Sequence, residues 1–293
     1  MLRHAIFVLL VFVPIVLAAD PPKPSADTII TDAAGKEIAL KKWSLSAGTR
    51  ALAWLATDGK APEALAFRET NSTSFVDGVV SLIPLERLES LTYDAKERTV
   101  LAKVAGVEKP LEGSIRFKQI NQIVIEAEVD KGDAGVVALK YRGGQLQGGI
   151  KSVKFAGAKP GTAPAGDAMY VSIIEKGGKP EPVHQLQALY KFADGKEKLS
   201  STLMFKVSYK VDLAQVTRLN LHEDAKTKTI ECDISLKDGS EQSLTLLSTA
   251  KIDGQDAKLE GFLGVVAAGF KLFPAHCVDE ISREKPAANK TDK

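Results

Sequence analysis

Pro84-Leu85-Glu86-Arg87-Leu88-Glu89-Ser90-Leu91-Thr92-Tyr93, then Asp94-Ala95-Lys96-Glu97-Arg98-Thr99-Val100, is answered by a second stretch of the chain. That stretch is Asp212-Leu213-Ala214-Gln215-Val216-Thr217-Arg218-Leu219-Asn220-Leu221, then Asp224-Ala225-Lys226-Thr227-Lys228-Thr229-Ile230. Only His222 and Glu223 are extra in it. Leu111-Glu112-Gly113 likewise answers Leu259-Glu260-Gly261. Self-similarity across roughly 130 residues predicts two related domains rather than one large core. The shared positions are apolar residues and turn formers, so what repeats is a packing unit and not a set of catalytic groups.

Around these blocks the dominant period is two. Leu101-Ala102-Lys103-Val104, Ile115-Arg116-Phe117, Ile123 to Val129 and Val137 to Tyr141 are short, mostly alternating runs, and Met204 to Val211 alternates throughout. Ile230-Glu231-Cys232-Asp233-Ile234 follows the same rule. Turn formers separate them at Gly132-Asp133, Gly143-Gly144, Asp238-Gly239 and Asp253-Gly254. Many short strands so punctuated predict an all-β, mainly antiparallel chain of two related β-sandwich or small-barrel domains in tandem. Helix signals are scarce, and Ser44 to Ala56 shows no clean 3.6-residue stripe.

A finer pattern recurs at Leu88/Leu91/Tyr93, Ile120/Ile123/Ile125, Ile150/Val153/Phe155 and Val216/Leu219/Leu221, with a shorter form at Val278/Ile281. Spacings of three and then two suit a tight local turn entering a strand, with all three side chains aimed at one core.

The ends set compartment and boundaries. Arg3 and His4 precede an apolar run from Ala5 to Val16, and Val16-Leu17-Ala18-Ala19 supplies small residues before Asp20. This is the layout of a cleaved secretory signal peptide over residues 1–19, with an apolar run short for a membrane span. Residues 20–27 read as a flexible lead-in, 28–156 as the first β domain, and 157–167 as a Gly/Ala/Pro linker. Residues 168–282 read as the second β domain and 283–293 as a disordered tail. The expected protein is exported, periplasmic or extracellular, with no transmembrane segment in the mature chain.

Lys plus Arg total 39 against 37 for Asp plus Glu, a balance that gives no reason to expect nucleic acid as a partner. No nucleophile elbow, phosphate-cradling loop or dinucleotide fingerprint is present, and no cofactor is expected. His184, His222 and His276 lack the close spacing of a zinc motif, so no metal site is assigned. Cys232 and Cys277 form a candidate disulfide in an oxidising compartment. Asn71-Ser72-Thr73 and Asn289-Lys290-Thr291 match the glycosylation sequon.

The least generic segments carry the aromatic residues. Gly261 to Pro274 holds three phenylalanines among its glycines, and Trp43 and Trp54 lie in a stretch without a counterpart in the second block. Trp43, Trp54, Phe262, Phe270 and Phe273 are therefore the candidate partner-binding residues. The expected role is a non-catalytic binding or scaffolding protein of the periplasm or cell envelope, with an envelope protein or glycan as partner. The competing expectation is an envelope-polymer hydrolase that uses carboxylates in an interdomain cleft. A third expectation, metal or redox response, would draw on His222, His276 and the cysteines.

Overall fold

The computed structural model describes residues 28–285, apart from 41, 48, 70–78, 95, 97–98, 115–123, 131–132, 134, 143–149, 174–179 and 225–228. The expected signal peptide and lead-in (residues 1–27), the tail beyond residue 285, both sequons, Ile115 to Phe117, the expected turn at Gly143-Gly144 and the Ile120/Ile123 pair lie outside these residues.

The first half runs β1 (Thr28–Asp32), β2 (Glu37–Leu40), β3 (Lys42–Ala47), β4 (Thr49–Ala51), β5 (Glu63–Phe67) and β6 (Val80–Pro84). It continues with β7 (Leu88–Asp94), β8 (Thr99–Val104), β9 (Leu111–Ser114), β10 (Val124–Asp130), β11 (Val136–Arg142) and β12 (Ile150–Lys154). The second half runs β13 (Ala168–Ile173), β14 (Glu181–Phe192), β15 (Glu197–Ser200), β16 (Thr202–Met204), β17 (Lys210–Asp212) and β18 (Val216–Glu223). It ends with β19 (Ile230–Leu236), β20 (Glu241–Leu246), β21 (Thr249–Ile252), β22 (Gln255–Val266), β23 (Gly269–Pro274) and β24 (Val278–Ser282). The chain is all-β, its sheets are antiparallel, and no α-helix occurs among the described residues.

One six-stranded sheet has the order β2-β1-β12-β7-β8-β9. The order β14-β13-β24-β18-β19-β20 recurs inside a thirteen-stranded sheet. The pairings agree in register as well as order. Leu88 faces Val104 and Ser90 faces Lys103, which leaves Glu89 as an extra residue. Val216 faces Leu236 and Arg218 faces Ser235, which leaves Thr217 extra at the matching place. Phe155 N donates to Glu89 O and Arg283 N donates to Thr217 O, each at 2.9 Å. A second bulge recurs where β1 meets β12 and where β13 meets β24.

These bulges explain the three-then-two spacing. In a regular strand, residues three apart face opposite sides, but one inserted residue returns them to the same side. Leu88, Leu91 and Tyr93 are all buried, as are Val216, Leu219 and Leu221, and Ile150, Val153 and Phe155. Short 3-10 turns, Leu85–Arg87 and Leu213–Gln215, lead into β7 and β18, and a third, Ala275–Cys277, leads into β24. Asp212 Oδ1 caps the second of these by accepting from Ala214 N at 2.9 Å.

Two expectations differ from the structure. Leu111-Glu112-Gly113 lies on β9, which pairs β8, whereas Leu259-Glu260-Gly261 lies on β22, which pairs β14, β21 and β23. The correspondence of short sequences does not extend to position in the sheet. The run from Met204 to Val211 is not one strand either: β16 and β17 pair antiparallel across a reversal at Lys206–Ser208.

Three apolar cores result. The first gathers β1, β7, β8 and β12 against β3, β10, β5 and β6, and also takes in Ala268 from the second half. The other large core lies under β13, β14, β18, β19, β22 and β24, with the β16–β17 hairpin across it, and includes Val79 from the first half. The smallest is shared: Leu52, Ala64 and Leu82 pack with Leu189, Leu263 and Leu272. The connection from residue 157 to 167 contains no strand or helix, yet it is anchored, with Lys159 N donating to Glu86 O at 2.9 Å. Gly161 lies so close to the Arg87 guanidinium that a Cβ there would fall 2.2 Å from Arg87 Cζ.

Candidate functional site

The two halves meet in strand pairing. Phe270 faces Leu82, Lys271 faces Ser81 and Leu272 faces Val80, so β23 and β6 continue one sheet across the molecule. Both strands end in proline followed by a 3-10 turn, Pro84 before Leu85–Arg87 and Pro274 before Ala275–Cys277. Measured from those prolines, Ser81 and Lys271 occupy the same position, so the seam has a local two-fold relation centred on that pair.

Alternation gives the seam two unlike faces. Phe270 and Leu272 point into the shared core, and Lys271 and Phe273 point to the other side. Lys271 is 5% exposed. Its Nζ touches Glu181 Oε2 from the second half and lies 3.7 Å from Glu69 Oε1 of the first. The Ser81 hydroxyl donates to Glu69 Oε1. A buried ammonium is costly unless carboxylates and hydrogen bonds meet it, and here both halves supply one.

On the opposite face Trp54 stands edge-on to Phe270, with centroids 6.3 Å apart. The Arg50 guanidinium lies 5.8 Å from the Trp54 ring centroid and bonds Glu197 Oε1 at 2.5 Å. This links β4 to β15 over the shared core. Among the described residues neither Trp54 Nε1 nor Glu197 Oε2 has a hydrogen-bond partner.

The five aromatic candidates occupy three separate places. Trp43 is half-buried on β3 and packs against Phe155, with centroids 5.1 Å apart. It borders an open depression of about 410 Å³ with Lys42, Glu126 and Glu128, and Lys42 Nζ lies 3.1 Å from Glu128 Oε2. Trp54 and Phe270 meet at the seam, as above. Phe262 and Phe273 are fully buried in the second core, where they offer no surface to a partner. A second open depression, about 390 Å³, is polar and lies over β18, β19 and β20, lined by Arg218, Asn220, Asp233 and Gln242.

Cys232 and Cys277 are both buried, and the structure does not join them in the candidate disulfide. Cys232 lies on β19 and Cys277 immediately before β24, with β18 between those strands. Two strand spacings are about 9–10 Å, beyond the roughly 7 Å that a disulfide allows between Cα atoms. Burial pushes the Cys232 thiol up to about 12, with the charges of Glu231 and Asp233 adding to the effect. Above the ordinary thiol value of 9.0 the unfolded chain releases this proton while the folded chain holds it. Folded stability is therefore expected to fall as pH rises from about 9 towards 12, and Cys232→Ala to flatten that fall. A disulfide-exchange reagent should find no rapidly reacting thiol in the native protein and two after denaturation. Rapid native labelling of Cys232 would contradict the buried placement.

His222 is exposed, with Nε2 3.6 Å from Asp233 Oδ2, and His184 Nδ1 lies 2.8 Å from Gly166 O. His276 lies in the 3-10 turn before β24. No group of three or more His, Cys, Asp or Glu poised around a metal-sized space occurs among the described residues. No helix among them is long and apolar enough to cross a membrane.

Reading the sequence did not single out Lys271, Glu69, Glu181 or Ser81. The available signal was a lysine inside the apolar run Gly269-Phe270-Lys271-Leu272-Phe273, where a solvated lysine would be out of place. No protein-family model, no curated protein and no solved structure matches this chain.

Proposed function

We propose that this chain is an exported, non-catalytic binding or scaffolding protein of the periplasm or cell envelope, built by duplication of one β unit and fused into a single rigid body. Export rests on the signal-peptide layout of residues 1–19. Duplication is supported by the matched strand orders, the bulges after Leu88 and Val216, and the hairpins β5–β6 and β16–β17 placed alike before the 3-10 turns.

The observation that carries the scaffold reading is the seam. A two-domain hydrolase would keep an open cleft between its halves to admit a polymer. Here that place holds the β6–β23 ladder, the shared apolar core and the Lys271 ion pairs. The carboxylates that converge there, Glu69 and Glu181, are engaged by an ammonium. What remains open to a partner is the outer sheet surface, where the Trp43 depression combines an aromatic ring with charged groups of both signs.

The test is photo-cross-linking in intact cells from a benzophenone side chain at Lys42. Capture of one abundant envelope protein or glycan, abolished by Trp43→Ala in a protein that still folds, supports the reading. Undiminished capture with Trp43→Ala, or cleavage of an envelope polymer by the purified chain, overturns it.

A further inference from the structure

The reversal between β16 and β17 combines two features at one residue. Val207 has φ 61° and ψ 28°, and Ser208 has φ 58°. Two successive left-handed residues suit a hairpin turn of the type that favours Asn-Gly. A β-branched residue there is a conformational outlier. Val207 is also 99% exposed, and Tyr209 beside it is 39% exposed. For folding alone, asparagine or glycine would serve better at this tip, and an outlier of this kind points to a use other than folding.

The surroundings indicate what the tip meets. Lys206 and Lys210 flank it, both exposed, and no acidic residue lies between them. The chain is nearly neutral as a whole, but this projection is cationic. The hairpin is a separate two-stranded sheet, whereas the similarly placed β5–β6 hairpin is built into the seam. The tip presents one apolar side chain almost wholly to solvent, between two ammonium groups. A bilayer interface accepts a protruding apolar residue, a tyrosine at headgroup depth and lysines that reach the phosphates.

We propose that the Lys206–Lys210 tip is a membrane-contact element: Val207 and Tyr209 enter the interface of an anionic bilayer while Lys206 and Lys210 meet its headgroups. This goes beyond the scaffold reading and is measured on purified protein, so its failure leaves that reading untouched.

The experiment is co-sedimentation of the purified, processed chain with vesicles of phosphatidylcholine alone or mixed with phosphatidylglycerol. Binding is expected only to the anionic vesicles and should fall as salt is raised. Val207→Asn is expected to weaken it about tenfold, by loss of one buried aliphatic side chain. The same change should raise the melting temperature by about 2–4 °C, because asparagine suits the turn. Lys206→Glu with Lys210→Glu should abolish binding without unfolding the chain. The proposal is overturned if wild type ignores anionic vesicles, binds both vesicle types equally, or binds as well with Val207→Asn. Capture of the tip by an acidic protein without vesicle binding overturns it too.

Discussion

Lys271→Met is expected to destabilise the protein by about 3 kcal/mol, the low end of the range for breaking a buried ion pair. Methionine fills much the same volume, so little of the loss comes from packing. The cost arises because Glu69 and Glu181, with side chains 18% and 25% exposed, are left as partly desolvated carboxylates with no ammonium between them. Their remaining access to water keeps the figure from rising further. Adding Glu69→Gln and Glu181→Gln to Lys271→Met should recover most of the stability, since the carboxylate charges that faced the ammonium are then gone. Urea unfolding of the single and triple variants measures this. A single variant within about 0.5 kcal/mol of wild type would show that Lys271 is solvated and that the seam is not built around it.

Gly261→Ala is expected to be the most damaging glycine-to-alanine change among the described residues, at about 4 kcal/mol or more. A Cβ at Gly261 would fall 2.1 Å from Phe273 O and 2.7 Å from Pro274 Cα. Both are backbone atoms of the neighbouring strand, so no side-chain rotation relieves the contact. The register places Gly261 opposite Pro274 on one side and Leu189 on the other, so β22 cannot move away without breaking its pairing with β14. Gly269 is a weaker case of the same kind, with φ 144° and a would-be Cβ 2.5 Å from Leu82 O. Thermal melting and soluble yield of Gly261→Ala report the outcome. A fully folded variant melting near wild type would mean that β22 and β23 do not approach as described.

Much of the fold could be read from particular residues. The alternation of Val100-Leu101-Ala102-Lys103-Val104 places Val100, Ala102 and Val104 in the core and leaves Leu101 and Lys103 exposed. The spacing of Leu88/Leu91/Tyr93 marked a device used more than once, although its cause is a bulge and not only the turn before it. Other features were hidden for physical reasons. Lys206-Val207-Ser208-Tyr209 has no Gly, Pro, Asn or Asp, and Ser208 alone is a weak turn signal, so period two read straight through it. The role of Lys271 was hidden because its partners, Glu69 and Glu181, are distant in sequence. Phe262 and Phe273 were legible as large apolar residues, but nothing local distinguishes a core phenylalanine from one at a surface. The cysteines suggested a bridge because sequence does not reveal the strand that separates them.

The seam also bears on how the protein works. Its ladder joins three residue pairs, flanked on one side by an apolar core with residues from both halves and on the other by a buried ammonium shared between them. Val79 packs in the second core and Ala268 in the first, so each half closes part of the other. Two arrays joined this way are expected to hold their outer faces at a fixed mutual orientation, in keeping with the scaffold role proposed above.

The most direct test is to cut the chain between its halves. A protease site inserted after Ala163 allows cleavage of the folded protein within the connection at residues 157–167. The prediction is that the two fragments stay together on size exclusion and unfold in one transition, held by the β6–β23 ladder, the shared core and the Lys271 ion pairs. Fragments that separate under native conditions, each with its own transition, would show two independent domains on a tether and contradict the fused sheet.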